Sequence, residues 1–214
     1  MNKKLILIAS TSLLASPALA HHPLGGLPMQ TFSDGVLSGI GHPLLGFDHL
    51  FFVVLVGIVA AYTGFLRRAP LAYVGAMAIG CLMMSFGIGL PLKEFMIGLS
   101  LVVVGYFVLS GKPLNMPTAM GLFAVFGLFH GSAFGDTIAS QELAVGGSVL
   151  VGYLIGLGAL QYLIAIAAGF AMVHVWKALE ATAMAPRLAG AAITGVGVFL
   201  TMENIEGLIL PAMG

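Results

Sequence analysis

The sequence predicts an all-α polytopic membrane protein, a bundle of about six transmembrane helices after a cleavable signal peptide. Three observations carry that expectation. Hydrophobic residues make up 59% of the 214 positions and charged residues only 7%, with a mean hydropathy of +1.08, a balance outside the soluble range. Glycine occurs 30 times, as in helices that pack closely inside a bilayer. Apolar runs near the roughly 20 residues that a bilayer core demands recur along the chain.

The segment 1–20 reads as the signal peptide. Lys3 and Lys4 supply the charged start, Leu5 to Leu14 the apolar centre, and Ala18-Leu19-Ala20 the small-x-small ending expected at a cleavage site. The mature chain, 21–214, then forms a single transmembrane helical domain. Hydropathy places its spans near 44–64, 70–90, 94–111, 117–135, 145–173 and 187–210. The breaks fall at Arg67-Arg68-Ala69-Pro70, Pro91 to Glu94, Gly111-Lys112-Pro113, Asp136 to Glu142, and Lys177 to Arg187. Such short connections predict that successive helices are antiparallel neighbours, with no separate soluble domain. Gly152, Gly156 and Gly195 are expected at close helix contacts.

Charge gives the orientation. With the mature N-terminus outside, Arg67, Arg68, Lys112, Lys177 and Arg187 face the cytoplasm and only Lys93 lies outside, as basic residues are normally distributed. The same assignment puts Asp34, Asp48, Glu94, Asp136, Glu142, Glu203 and Glu206 at the outer side, leaving Glu180 inside. An acidic outer mouth concentrates cations. A net charge of zero gives no attraction to nucleic acid, and the single cysteine, Cys81, allows neither an intrachain disulfide nor a cysteine zinc site. Neither a GxxxxGK[ST] loop nor an internal repeat is present, which speaks against an ATP-driven pump and an inverted-repeat transporter.

Chemistry concentrates in His42-Pro43-Leu44-Leu45-Gly46-Phe47-Asp48-His49, at the head of an almost pure hydrocarbon segment. Polar groups at that depth are costly and usually functional, and a metal ion is the expected reason. On a straight helix His42 and His49 would lie about 10 Å apart along the axis, too far to share an ion. Pro43 disfavours helical geometry at His42 and Gly46 permits a further break, so a bent entry is expected to bring His42 back toward Asp48 and His49. Asp48 either ligates or holds an imidazole by its second nitrogen; the alternative is that His42 caps the helix and the other two are satisfied interfacial groups.

His130, in Phe129 to Asp136, ends another span on the same side. It is either a third ligand or a packed hydrogen-bonding residue. Asp136 is a helix-mouth carboxylate that draws cations or is simply solvated, and Glu203 lines the pathway or pairs with a histidine. After cleavage, the amine and ring of His21, with His22 beside it, can chelate a divalent ion at the entrance. His174 reads as an interfacial residue, and the twelve methionines as core filling rather than a copper(I) path.

The first motif resembles the HPxxGxDH signature of the HupE/UreJ family, and Phe129-His130-Gly131-Ser132-Ala133-Phe134-Gly135 resembles its FHG-type motif. Length, signal peptide and span number are also similar. The resemblance implies a nickel, or in some members cobalt, permease serving metalloenzymes such as hydrogenase or urease. It marks His42, Asp48, His49 and His130 as functional, while Asp136 stands where the family often has a glutamate. Imidazole and carboxylate donors equally accommodate Ni²⁺, Co²⁺, Zn²⁺ or Cu²⁺.

The reading is therefore a secondary permease of the cytoplasmic (inner) membrane with both mature termini extracytoplasmic, not an enzyme. It admits a divalent transition-metal ion, nickel before cobalt. The alternatives are a non-transporting metal-holding chaperone and an intramembrane metalloenzyme; against the latter, there is no HExxH and no serine is clearly paired with a base. Metalloenzyme-maturation proteins are the expected partners.

Overall fold

The computed structural model describes residues 28–140 and 146–209. The expected signal peptide, together with His21, His22 and Glu142, lies outside the described residues. Within them the chain forms α1 (Phe32–Leu45), α2 (Phe47–Tyr62), α3 (Ala69–Ser85), α4 (Lys93–Ser110), α5 (Met116–Ala139), α6 (Gly147–Phe170) and α7 (Met184–Ile209). A π-turn, Ala171–Val175, extends α6. The protein is all-helical and polytopic.

Each expected span finds a helix, but their lengths differ. Helices α4, α5, α6 with its π-turn, and α7 are long and apolar enough to cross a bilayer; α1 and α2 add a fifth span only if taken together as one broken span. Helix α3 has 17 residues, about 25 Å, just short of the roughly 30 Å hydrocarbon core. Four or five candidate spans thus stand where the sequence predicts about six.

Helix α1 is the principal correction. The predicted first span begins at residue 44, yet residues before it already form a helix, and the axis then turns by 85° into α2. The start carries a capping box: Thr31 Oγ1 accepts from Asp34 N at 3.2 Å, and Asp34 Oδ2 accepts from Thr31 N at 2.8 Å. Asp34 is therefore a cap. Pro43, expected to break the helix at His42, lies inside α1 instead; it removes one N–H, a loss that packed membrane helices tolerate. The break falls at Gly46, which is extended at φ −91°, ψ 93°.

Helix α2 is the centre of the bundle. Phe52, Val53 and every residue from Leu55 to Ala60 are buried, as expected of a helix apolar on all sides. Around it the helices pack in pairs distant in sequence: α3 on α5, α4 on α7, and α1 on α6. The expected antiparallel arrangement of successive neighbours does not hold, since α3 and α4 make at most marginal contact.

Small residues set those pairs. On α5, Gly127, Gly131 and Gly135 follow one another every fourth residue and lie against Tyr73, Met77 and Cys81 of α3, spaced alike, so these two helices run parallel. A Cβ on Gly131 would overlap the Met77 carbonyl. Gly152 and Gly156 meet Phe32 and Val36 of α1 as closely, whereas Gly195 has nothing near it and the expectation of close contact fails there.

Replacing Gly131 by valine should force α5 off α3 and cost about 1–3 kcal/mol or more, read as a lower unfolding temperature in detergent. Gly195→Ala should leave that temperature unchanged.

Candidate functional site

The bend at Gly46 sets the site. Its backbone N–H donates to His42 O at 3.0 Å, closing α1, while Leu50 N donates to Gly46 O at 3.0 Å and opens α2. Glycine is required there by space rather than by φ. A Cβ would stand 2.9 Å from His49 Cδ2 and 3.3 Å from Asp48 Oδ1. The fold brings the His42 and His49 rings to 6.3 Å between centroids, edge to face, so the expected return of His42 toward His49 is present although the break lies three residues beyond Pro43.

His42, Asp48 and His49 line a cavity of about 670 Å³, together with Glu94, Asp136, Thr137 and Ser140. Asp48 Oδ1 accepts from His49 N at 2.8 Å and lies 4.0 Å from His49 Nε2, so the carboxylate caps α2 and faces the imidazole at once. His42 Nδ1 lies 3.0 Å from Tyr153 Oη and 2.9 Å from Thr137 Oγ1. Asp136 is paired with Lys93.

His130 lies behind His49, fully buried. Its Nδ1 is 2.7 Å from His49 Nδ1 and its Nε2 is 3.0 Å from Ser100 Oγ, so both ring nitrogens are engaged. Phe52 stacks on it at 4.5 Å, and Phe134 lies 4.1 Å from the His49 ring. Deeper still, Tyr73 Oη donates to Gln161 Oε1 in the buried core. The cavity floor is thus imidazole backed by aromatic rings.

Among the described residues no three or more of His, Cys, Asp and Glu gather as a ready ligand cluster. The structure brings His42, Asp48, His49 and Asp136 around one cavity and sets His130 behind it. Glu203 is separate: it is exposed and lines a neighbouring cavity of about 560 Å³ that shares Glu94 and Leu200 with the first. His174 is exposed beside Phe170. At the end remote from the site, Arg187 Nε donates to Leu109 O at 3.0 Å and Tyr162 Oη donates to Arg67 O at 3.1 Å. Arg67 and Arg187 therefore lie at the end opposite the cavity carboxylates, whereas Lys93 lies among them.

The sequence reading counted Glu94 only among the acids of the outer mouth and passed over Ser100, Thr137 and Tyr153. Their signal was available for two of them: Ser100 and Tyr153 are polar groups inside hydrocarbon spans, where burial without a partner is costly. The reading that no serine is paired with a base also needs correction, because Ser100 touches His130. That contact is structural, since Ser100 is fully buried and its hydroxyl donates to Ile97 O at 2.6 Å.

A polytopic helical membrane protein with a one-ended histidine and carboxylate cavity is the class these features define. The family model described as HupE / UreJ protein matches residues 9–200. Protein HupE of Rhizobium leguminosarum bv. viciae is 32% identical over 190 residues, covering 87% of this chain and 92% of that protein. The chain belongs to the HupE/UreJ family. No solved structure matches it.

Gly46→Ala should press on a ring that cannot retreat, because His49 is pinned against His130. A loss of about 1–3 kcal/mol is expected, measured as reduced thermal stability of the purified protein.

Proposed function

We propose that the protein is a secondary permease that admits a divalent transition-metal ion, nickel first and cobalt second, from the extracytoplasmic side of the inner membrane. The observation that carries this reading is the cavity itself. Two imidazoles and three carboxylates line it, and behind His49 stand His130 and Phe134. Family membership supports the same reading, because the matched relative is named for its family and covers nearly the whole chain.

In this mechanism Asp48, Glu94 and Asp136 raise the local cation concentration at the mouth. Lys93 holds one of those carboxylates, so the mouth is less negative than the count of acids implies. His42, Asp48 and His49 replace part of the ion's water shell, and His130 supports His49 from behind. Glu203 in the adjoining cavity extends the acidic approach, and His21 with His22 provides a capture point on the N-terminal segment. Repacking of the helices around α2 then opens the floor toward the basic end. With its basic residues cytoplasmic, the chain has both mature termini outside, and the ion passes to proteins that mature a nickel enzyme. Permeation is favoured over catalysis by family membership; Ser100, the serine that touches His130, is fully buried.

Nickel accumulation by cells or by proteoliposomes tests the reading. Asp48→Asn and His49→Gln should each reduce it at least tenfold, within the 10- to 100-fold range seen when metal-site groups are altered, in protein that elutes as a single species. Undiminished accumulation in both variants sinks it, and stoichiometric binding without flux would instead indicate a metal-holding chaperone.

Acidity gives a second test. Only neutral imidazole ligates, so acidifying the external medium should weaken uptake, and returning it toward neutrality should restore uptake. Uptake that rises on acidification contradicts histidine ligation.

A further inference from the structure

His49 is tied through His130, on the side away from the cavity, to a hydroxyl whose own proton is already committed. Ser100 Oγ lies 2.6 Å from Ile97 O. A carbonyl oxygen only accepts, so the serine proton lies between them. Ser100 Oγ can then meet His130 only as an acceptor, which requires the His130 proton on Nε2, 3.0 Å away. His130 Nδ1 is left with its lone pair, and the 2.7 Å contact to His49 Nδ1 requires that His49 be the donor. The chain of protons runs from His49 through His130 and Ser100 to Ile97 O, and it ends in the backbone of α4.

The second imidazole meets two hydroxyls. Tyr153 Oη donates to Phe134 O at 3.1 Å, so toward His42 Nδ1, 3.0 Å away, it offers a lone pair. Thr137 Oγ1, 2.9 Å from the same nitrogen, can donate as well as accept, so these contacts do not set the tautomer of His42. Neutral imidazole has one N–H, so His49 keeps its lone pair on Nε2.

We propose that Ser100 is a positioning residue that, acting through His130, fixes His49 in the Nδ1–H tautomer, so that Nε2 of His49 is the ligating atom offered to the cavity. The inference deepens the permease reading and rests on it for the word "ligating". The tautomer itself is a property of the metal-free protein. The His49 ring does not change charge, so the device is geometric: a partner that both donates and accepts would let the ring switch tautomer, whereas the Ser100 hydroxyl is held to one role by Ile97.

The experiment is ¹⁵N NMR of the purified, metal-free full chain with labelled histidine, signals assigned by single histidine replacements, followed by nickel titration. His49 should show protonated Nδ1 and unprotonated Nε2. In Ser100→Ala, His130 loses its acceptor and the His49 signals should move to the other tautomer or a mixture, with nickel affinity falling roughly 10- to 100-fold. Ser100→Cys, which keeps the side chain's shape but offers only a weak acceptor, should shift His49 the same way in smaller degree and serves if Ser100→Ala does not fold. An Nε2–H signature on His49 in the unaltered protein, or variants whose spectra match it, overturns the proposal. An Nδ1–H signature in a protein that takes up no nickel upholds the tautomer assignment and overturns the permease reading instead.

Discussion

The contact between His49 and His130, 2.7 Å between two ring nitrogens in the buried core, is the constraint on which the rest of the site depends. Two imidazoles placed among Phe52, Phe134 and Tyr73 would be costly in such surroundings without partners. Bonded to each other and to Ser100, they are satisfied. The same bond fixes where the His49 ring stands, and with it the depth of the cavity floor and the room left at Gly46.

That arrangement needs helices that approach closely. His130 sits one residue before Gly131, where α5 rests on the Met77 carbonyl of α3, and its ring reaches across to α2 and α4 only because no side chain holds the helices apart there. The 85° turn between α1 and α2 has a parallel effect on the other side. It swings His42 over the mouth of α2, and the Tyr153 hydroxyl of α6 catches it. Packing and polar chemistry are therefore one design: glycines bring the backbones together, and the polar groups that result are bonded among themselves.

Much of this was legible in the sequence. Hydrocarbon runs, signal-like start and charge asymmetry gave an all-helical membrane protein, and the cost of polar groups in such runs pointed to His42, Asp48, His49 and His130. The return of His42 was anticipated, but its cause was misassigned, because a proline inside a packed helix loses one hydrogen bond while an extended Gly46 redirects the axis. Helix α1 was missed although Thr31 and Asp34 already spelled a capping box. The pairing of helices was beyond reach for a plainer reason: glycines at intervals of four say that a face is close-packed, not which helix it meets. Glu94 and Thr137 belong to the site only through that pairing.

Whether the cavity on α1 and α2 is where the ion binds can be seen directly. An anomalous difference map collected at the nickel edge, on crystals of the full chain grown with nickel, should place its strongest peak in the cavity. It should lie about 2.0–2.2 Å from His49 Nε2 and an Asp48 oxygen, the range for imidazole and carboxylate ligands of such ions. A strongest peak bound only by groups outside this cavity, or none at saturating nickel, would contradict the account.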